Sequence, residues 1–153
     1  MDTLAGAVAF FDIGNTLASV VVAPSGDRIE RLTVLPDVPA ALAALSDRSV
    51  RLGIISDRGM IPAEQVNQAL EDAGVLGFFE PPLIIYGKKD SPGIFEFAAT
   101  QAGAPDPARR LLFIGEDPAE RAQALQADFL VASHPRLALP VLEGQAPTAL
   151  GER

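Results

Sequence analysis

Five short apolar runs, separated by amphipathic stretches, constrain the fold more than any other feature of this sequence. They occupy residues 7–11, 51–55, 83–86, 111–114 and 129–131. Each is apolar at consecutive rather than alternate positions, the pattern of a strand covered on both faces, as in a parallel sheet. The stretches between them carry helical spacing. Residues 38–45 place Val38, Leu42 and Leu45 on one side, just after Pro36 and Asp37. Residues 62–73 put Val66, Ala69 and Leu70 on one stripe and stop at Gly74, and residues 91–102 group Ile94, Phe95 and Ala98 and stop at Gly103. Residues 118–127 are rich in alanine. Strands alternating with helices predict an α/β, Rossmann-like, doubly wound and mainly parallel sheet.

One segment departs from that rhythm. Residues 17–35 hold two β-rich arms around the turn Pro24-Ser25-Gly26-Asp27, which predicts a β-hairpin inserted after the first strand. No internal repeat appears. The chain reads as one α/β domain over residues 1–134, followed by a tail over residues 135–153 whose Pro, Gly and Ala content predicts partial disorder.

Composition narrows the function. The chain of 153 residues has no cysteine and one histidine, which excludes disulfides, a thiol nucleophile and a zinc site built on thiolates or several histidines. The net charge of −8, with no basic stripe, argues against nucleic acid as a partner. No apolar run approaches the length of a bilayer span, and no positively charged leader opens the sequence, so the expectation is a cytoplasmic protein without a membrane partner.

The chemistry gathers where the apolar runs end. In a parallel α/β sheet the carboxyl ends of the strands face the ligand crevice. The first run ends in Asp12-Ile13-Gly14-Asn15-Thr16, and Gly14 suits a backbone that turns around an anion. The second ends in Ser56-Asp57, the third is followed by Lys88-Lys89, and the fourth ends in Gly115-Glu116-Asp117. One edge of the sheet thus receives carboxylates, a hydroxyl and an ammonium group.

In that order FDIGNTL, IISD, the Lys89-x-x-Pro92-x-Ile94-Phe95 pattern and FIGED resemble the four motifs of the haloacid dehalogenase-like superfamily, over roughly residues 6–132. The resemblance implies a Rossmann-like fold and, in most members, a Mg²⁺-dependent phosphatase working through an aspartyl-phosphate. Carried over by position, it implies Asp12 as nucleophile, Thr16 and Ser56 as ligands of phosphoryl oxygens, and Lys89 as the group that neutralises them. Glu116 or Asp117 would hold the metal together with Asp12 and the Gly14 carbonyl. The spacings from Asp12 to Ser56 and from Ser56 to Lys89 leave no room for a cap domain. That implies an open site, suited to a bulky phosphorylated substrate or closed by another copy in a homo-oligomer.

The chain departs from the family pattern in three places. Gly14 stands where the phosphatases carry a second aspartate as general acid and base. Glu116 replaces the usual aspartate after the glycine of the fourth motif. Beyond it, a further aspartate is often found four or five residues on, and here those positions are Glu120 and Arg121. These departures keep two alternatives beside the phosphatase. One is a catalytically degenerate binding or assembly protein, and the other a metal-independent hydrolase of the dehalogenase type.

Overall fold

The computed structural model describes residues 4–103 and 110–144. Its strands are β1 (Val8–Phe11), β2 (Ala18–Val22), β3 (Ile29–Val34), β4 (Arg51–Ser56), β5 (Ile84–Tyr86), β6 (Leu111–Ile114) and β7 (Leu130–Ala132). Its helices are α1 (Val38–Asp47), α2 (Ala63–Asp72), α3 (Gly93–Gln101), α4 (Pro118–Gln126) and α5 (Ala138–Leu142). The five apolar runs form one parallel sheet in the order β5-β4-β1-β6-β7, and β2 and β3 pair separately as an antiparallel hairpin. This is the Rossmann-like doubly wound arrangement expected from the sequence. β1 lies at the centre, with β4 on one side and β6 on the other, so its carboxyl end occupies the point where the strand order reverses.

The two faces of the sheet sort the side chains by parity. Ala9, Phe11, Leu52, Ile54, Leu112 and Ile114 join Val38, Leu42 and Leu45 of α1 and Val66 and Leu70 of α2. Val8, Phe10, Ile55, Phe113 and Val131 meet Phe95 and Ala98 of α3 and Ala124 of α4. On that second face Phe95 packs edge-on against both Phe113 and Phe129, with ring centroids 5.0 and 5.5 Å apart. Covering on both sides explains why the strands are apolar at consecutive positions.

Gly53 shows how tightly this second layer closes. A Cβ there would lie 2.6 Å from the Leu83 carbonyl oxygen and 2.8 Å from Phe10 Cδ1. The first obstacle is backbone, which cannot rotate aside. Gly53→Ala is therefore expected to lower stability by about 1–3 kcal/mol, through overpacking, in a urea denaturation experiment.

The expected tail needs correcting at its start. After a short 3-10 turn at Pro135–Leu137, α5 packs back on the domain with Ala138, Val141 and Leu142 buried beside α1 and β7. An Arg48–Glu143 ion pair at 2.8 Å and a hydrogen bond from Arg110 to the Leu142 carbonyl fasten it. The domain thus runs past residue 134 to at least Gly144, and residues 145–153 lie outside the described part. Pro140 does not prevent this helix. In a five-residue helix it sits in the first turn, where no intrahelical N–H bond is required.

Between β1 and β4 the chain holds only the hairpin and α1, and between β4 and β5 only α2 and two short 3-10 turns. Neither interval contains a cap domain. Among the described residues no helix is long and apolar enough to cross a membrane.

Candidate active site

Four buried polar side chains stand out in the described part of the protein: Thr16, Ser56, Lys89 and Arg121. Ser56 ends β4, and Thr16, Lys89 and Arg121 follow the carboxyl ends of β1, β5 and β6. Burying polar groups is costly, and their concentration at one edge marks that edge as the place where the fold accepts the cost.

Asp12 is the hub. Its Oδ1 accepts hydrogen bonds from the Ile13 amide at 2.8 Å, from Ser56 Oγ at 3.1 Å and from Lys89 Nζ at 3.2 Å. Three donors converge on one oxygen, and Oδ2 accepts none from the described residues. The carboxylate is therefore held in one orientation with its second oxygen open. Ser56 is the last residue of β4, well before α2, so its hydroxyl serves Asp12 and does not cap a helix. Lys89 also lies 3.6 Å from Glu120 Oε1, which makes it the cation between two carboxylates. Lys88, by contrast, is exposed.

The turn after β1 is unusually tight. The amides of Thr16, Leu17 and Ala18 all point to the Ile13 carbonyl, and Asn15 takes a left-handed conformation with φ 61°. This buries Thr16 while leaving its Oγ1 without a hydrogen-bond partner. A buried hydroxyl without a partner, in the turn that follows a fixed carboxylate, is suited to receive a ligand oxygen.

The acidic residues after β6 divide their tasks. Glu116 is exposed and accepts from Asn15 Nδ2 at 3.2 Å, which ties it to the turn that carries Asp12 and Gly14. Asp117 accepts from the Ala119 amide at 2.8 Å and caps α4. Glu120 turns inward. Burial pushes its carboxyl above the usual range, Asp12 and Asp117 add to the rise, and Lys89 opposes it. Among the described residues no group of three or more His, Cys, Asp or Glu side chains is arranged to hold a metal ion. A hard divalent cation with several waters needs only one or two carboxylates. β1 and β6 are adjacent strands and the Asp12 amide donates to the Ile114 carbonyl, so the segments that carry Asp12 and Glu116 leave the sheet side by side.

Sequence reasoning did not find two parts of this region. Arg121 is 2% exposed and donates from Nη1 to the Gly115 carbonyl at 2.8 Å, with no carboxylate in ion-pair range among the described residues. It braces from below the turn that presents Glu116. No spacing rule signals this, because an arginine on a helix is ordinarily solvated. Arg121→Ala is expected to cost roughly 2–4 kcal/mol in thermal or chemical denaturation, from the cavity and the carbonyl left without a donor. Arg58, two residues after Ser56, is half-buried. It donates to the Ile61 carbonyl at 2.7 Å and lies 6.0 Å from the centre of the Tyr86 ring.

Two concavities adjoin the hub. A polar recess of about 410 Å³ is lined by Lys89, Asp117 and Glu120 among others, and a cleft of about 340 Å³ begins at Gly14 and Ser56. Lys89 of the recess and Ser56 of the cleft both bond the same oxygen of Asp12.

No family model matches the sequence, and no curated protein matches it. Solved structures do. An uncharacterised protein from Listeria monocytogenes serotype 4b is similar at 15% identity and a TM-score of 0.69, over 82% of this chain and 76% of that one. A HAD-superfamily hydrolase from Ehrlichia chaffeensis is similar at 13% identity and 0.66, over 93% and 98%. The cobalt-bound form of the deoxy-D-mannose-octulosonate 8-phosphate phosphatase from Haemophilus influenzae is similar at 14% and 0.61, over 100% and 96%. With its central β1, its hairpin and no inserted domain, the chain has the haloacid dehalogenase-like fold in a form without a cap.

Proposed function

We propose that this protein is a hydrolase of phosphomonoesters that works through an aspartyl-phosphate on Asp12. The observation that carries the reading is the asymmetric Asp12 carboxylate, one oxygen fixed by three donors and the other open. Phosphatases and hydrolases among the similar folds support it.

Asp12 Oδ2 attacks phosphorus. The Oδ2–P bond forms, the P–O bond to the alcohol breaks, and the electron pair leaves on the alcohol oxygen, which takes a proton from water. A water molecule then attacks the same phosphorus, the Oδ2–P bond breaks, and inorganic phosphate and the Asp12 carboxylate are regenerated. Covalent capture splits one hard hydrolysis into two easier steps. Throughout, Lys89 offsets the repulsion between carboxylate and phosphate, while Thr16 Oγ1 and Ser56 Oγ position phosphoryl oxygens. Asp12, the Gly14 carbonyl and Glu116 would hold Mg²⁺, with Asp117 adjacent. When bound, that ion neutralises developing charge on the phosphoryl group. The absence of a side chain at Gly14 leaves the departing oxygen without a general acid, so esters of acidic alcohols are the favoured substrates.

The test is phosphate release from an aryl phosphate and a panel of small phosphate esters, in Mg²⁺ and in EDTA. Release that EDTA abolishes is the expected result. Release that is indifferent to EDTA would remove Mg²⁺ from the scheme, whereas hydrolysis of a 2-halo acid with no release from any phosphate ester would favour the metal-independent hydrolase of the dehalogenase type. No release, together with no binding of Mg²⁺ or phosphate, would favour a binding protein on the same scaffold.

A further inference from the structure

The cleft of about 340 Å³ that begins at Gly14 and Ser56 runs beneath the β2–β3 hairpin. Its volume falls in the range of small-molecule sites. The hairpin contributes Val20, Ile29 and Leu32, and the opposite wall contributes Ile61 and Val66. Tyr86 closes one side, with its hydroxyl already donating to Asn67 Oδ1 at 2.6 Å and its ring beneath the Arg58 guanidinium. A ligand entering this space meets chiefly apolar surface. Asp57 and Arg58 line it as well, but Asp57 Oδ1 already accepts from the Gly59 amide and Arg58 Nη1 already donates to the Ile61 carbonyl, so the hydroxyls of a sugar or polyol would leave water there for few partners.

We infer that this cleft binds the alcohol portion of the phosphomonoester, and that this portion is an apolar group of aryl or branched-alkyl size. The inference rests on the phosphatase reading for its phosphoryl group and goes beyond it in naming the substrate class. Three observations meet in it. Ser56 lines the cleft and its hydroxyl donates to Asp12 Oδ1, so the cleft starts one side chain from the Asp12 carboxylate. Gly14 lines it too, has no positive φ, and a Cβ there would meet nothing within 4 Å, so the cleft has free space beside the turn that follows Asp12. An aryl group also departs as a stabilised phenoxide, which suits a site with no general acid beside the leaving oxygen.

The test compares phenyl phosphate, 4-propylphenyl phosphate and 4-(2-carboxyethyl)phenyl phosphate, whose leaving groups are similar in acidity. Burial raises kcat/KM by about fourfold per methylene, so the propyl ester is expected to exceed the phenyl ester by on the order of fifty-fold. The carboxyethyl ester should show no such gain, and Leu32→Asn should shrink the propyl advantage. A second arm titrates 4-propylphenol into methyl-labelled protein and follows the Ile29, Leu32, Ile61 and Val66 methyl resonances, which should shift together. Equal kcat/KM for the propyl and carboxyethyl esters, or methyls that do not move, would overturn the inference. If no ester is hydrolysed at all, the phosphatase reading fails by itself, and the methyl shifts still decide what the cleft binds.

Discussion

Asp12→Asn is expected to reduce phosphate release by at least about 10⁴-fold while leaving the fold in place. Asparagine keeps the shape of the side chain, and its carbonyl oxygen can still accept from the Ile13 amide and Ser56 Oγ. It removes the charge that makes the second oxygen a nucleophile. Lys89 stays paired through Glu120, so the buried ammonium is not stranded. Circular dichroism and a melting temperature within a few degrees of the parent would establish that the loss is chemical. Retained turnover in a folded variant would remove Asp12 from the reaction.

The second large effect is a gain. Gly14→Asp places a carboxyl group where the scheme lacks an acid, at a position whose backbone accepts a side chain and whose Cβ direction is empty. Positioned proton transfer contributes about 10²–10⁴-fold. That increase is expected in kcat for an alkyl phosphate, whose alkoxide needs a proton as it leaves. A 4-nitrophenyl ester, whose phenoxide needs none, should change far less. The ratio of the two rates is therefore the readout, and it is insensitive to the fraction of active protein. Equal changes on both esters would mean that departure of the alcohol does not limit the parent reaction.

What the sequence made legible follows from physics that acts locally. Strands covered on both faces must be apolar at every position, so residues 7–11 and 111–114 announced themselves. The hairpin was readable because Pro24-Ser25-Gly26-Asp27 is turn chemistry between β-branched arms. Asp12, Ser56 and Lys89 were legible as a set because strand ends share an edge in a parallel sheet, and the structure brings those three within hydrogen-bond distance. Thr16, in the turn after β1, is buried with its hydroxyl unpaired. The misses are all long-range. Nothing local tells that Arg121 turns under the Gly115 carbonyl, that Arg58 lies over Tyr86, or that α5 returns to α1. Glu120 was visible only as a spacing; its partnership with Lys89 requires α4 to meet the end of β5. The apolar cleft belongs to the same class, since its two walls are separated in sequence and become a surface only when the hairpin folds over α2.

The central claim is covalent capture on Asp12, and one measurement addresses it directly. The protein is mixed with 4-nitrophenyl phosphate in Mg²⁺, quenched during turnover in acid and reduced with borohydride, which converts an acyl phosphate to an alcohol. Homoserine at position 12 is expected in the peptide mass spectrum, and none when substrate is withheld. Phosphate released at full rate with Asp12 recovered unmodified throughout would contradict covalent capture.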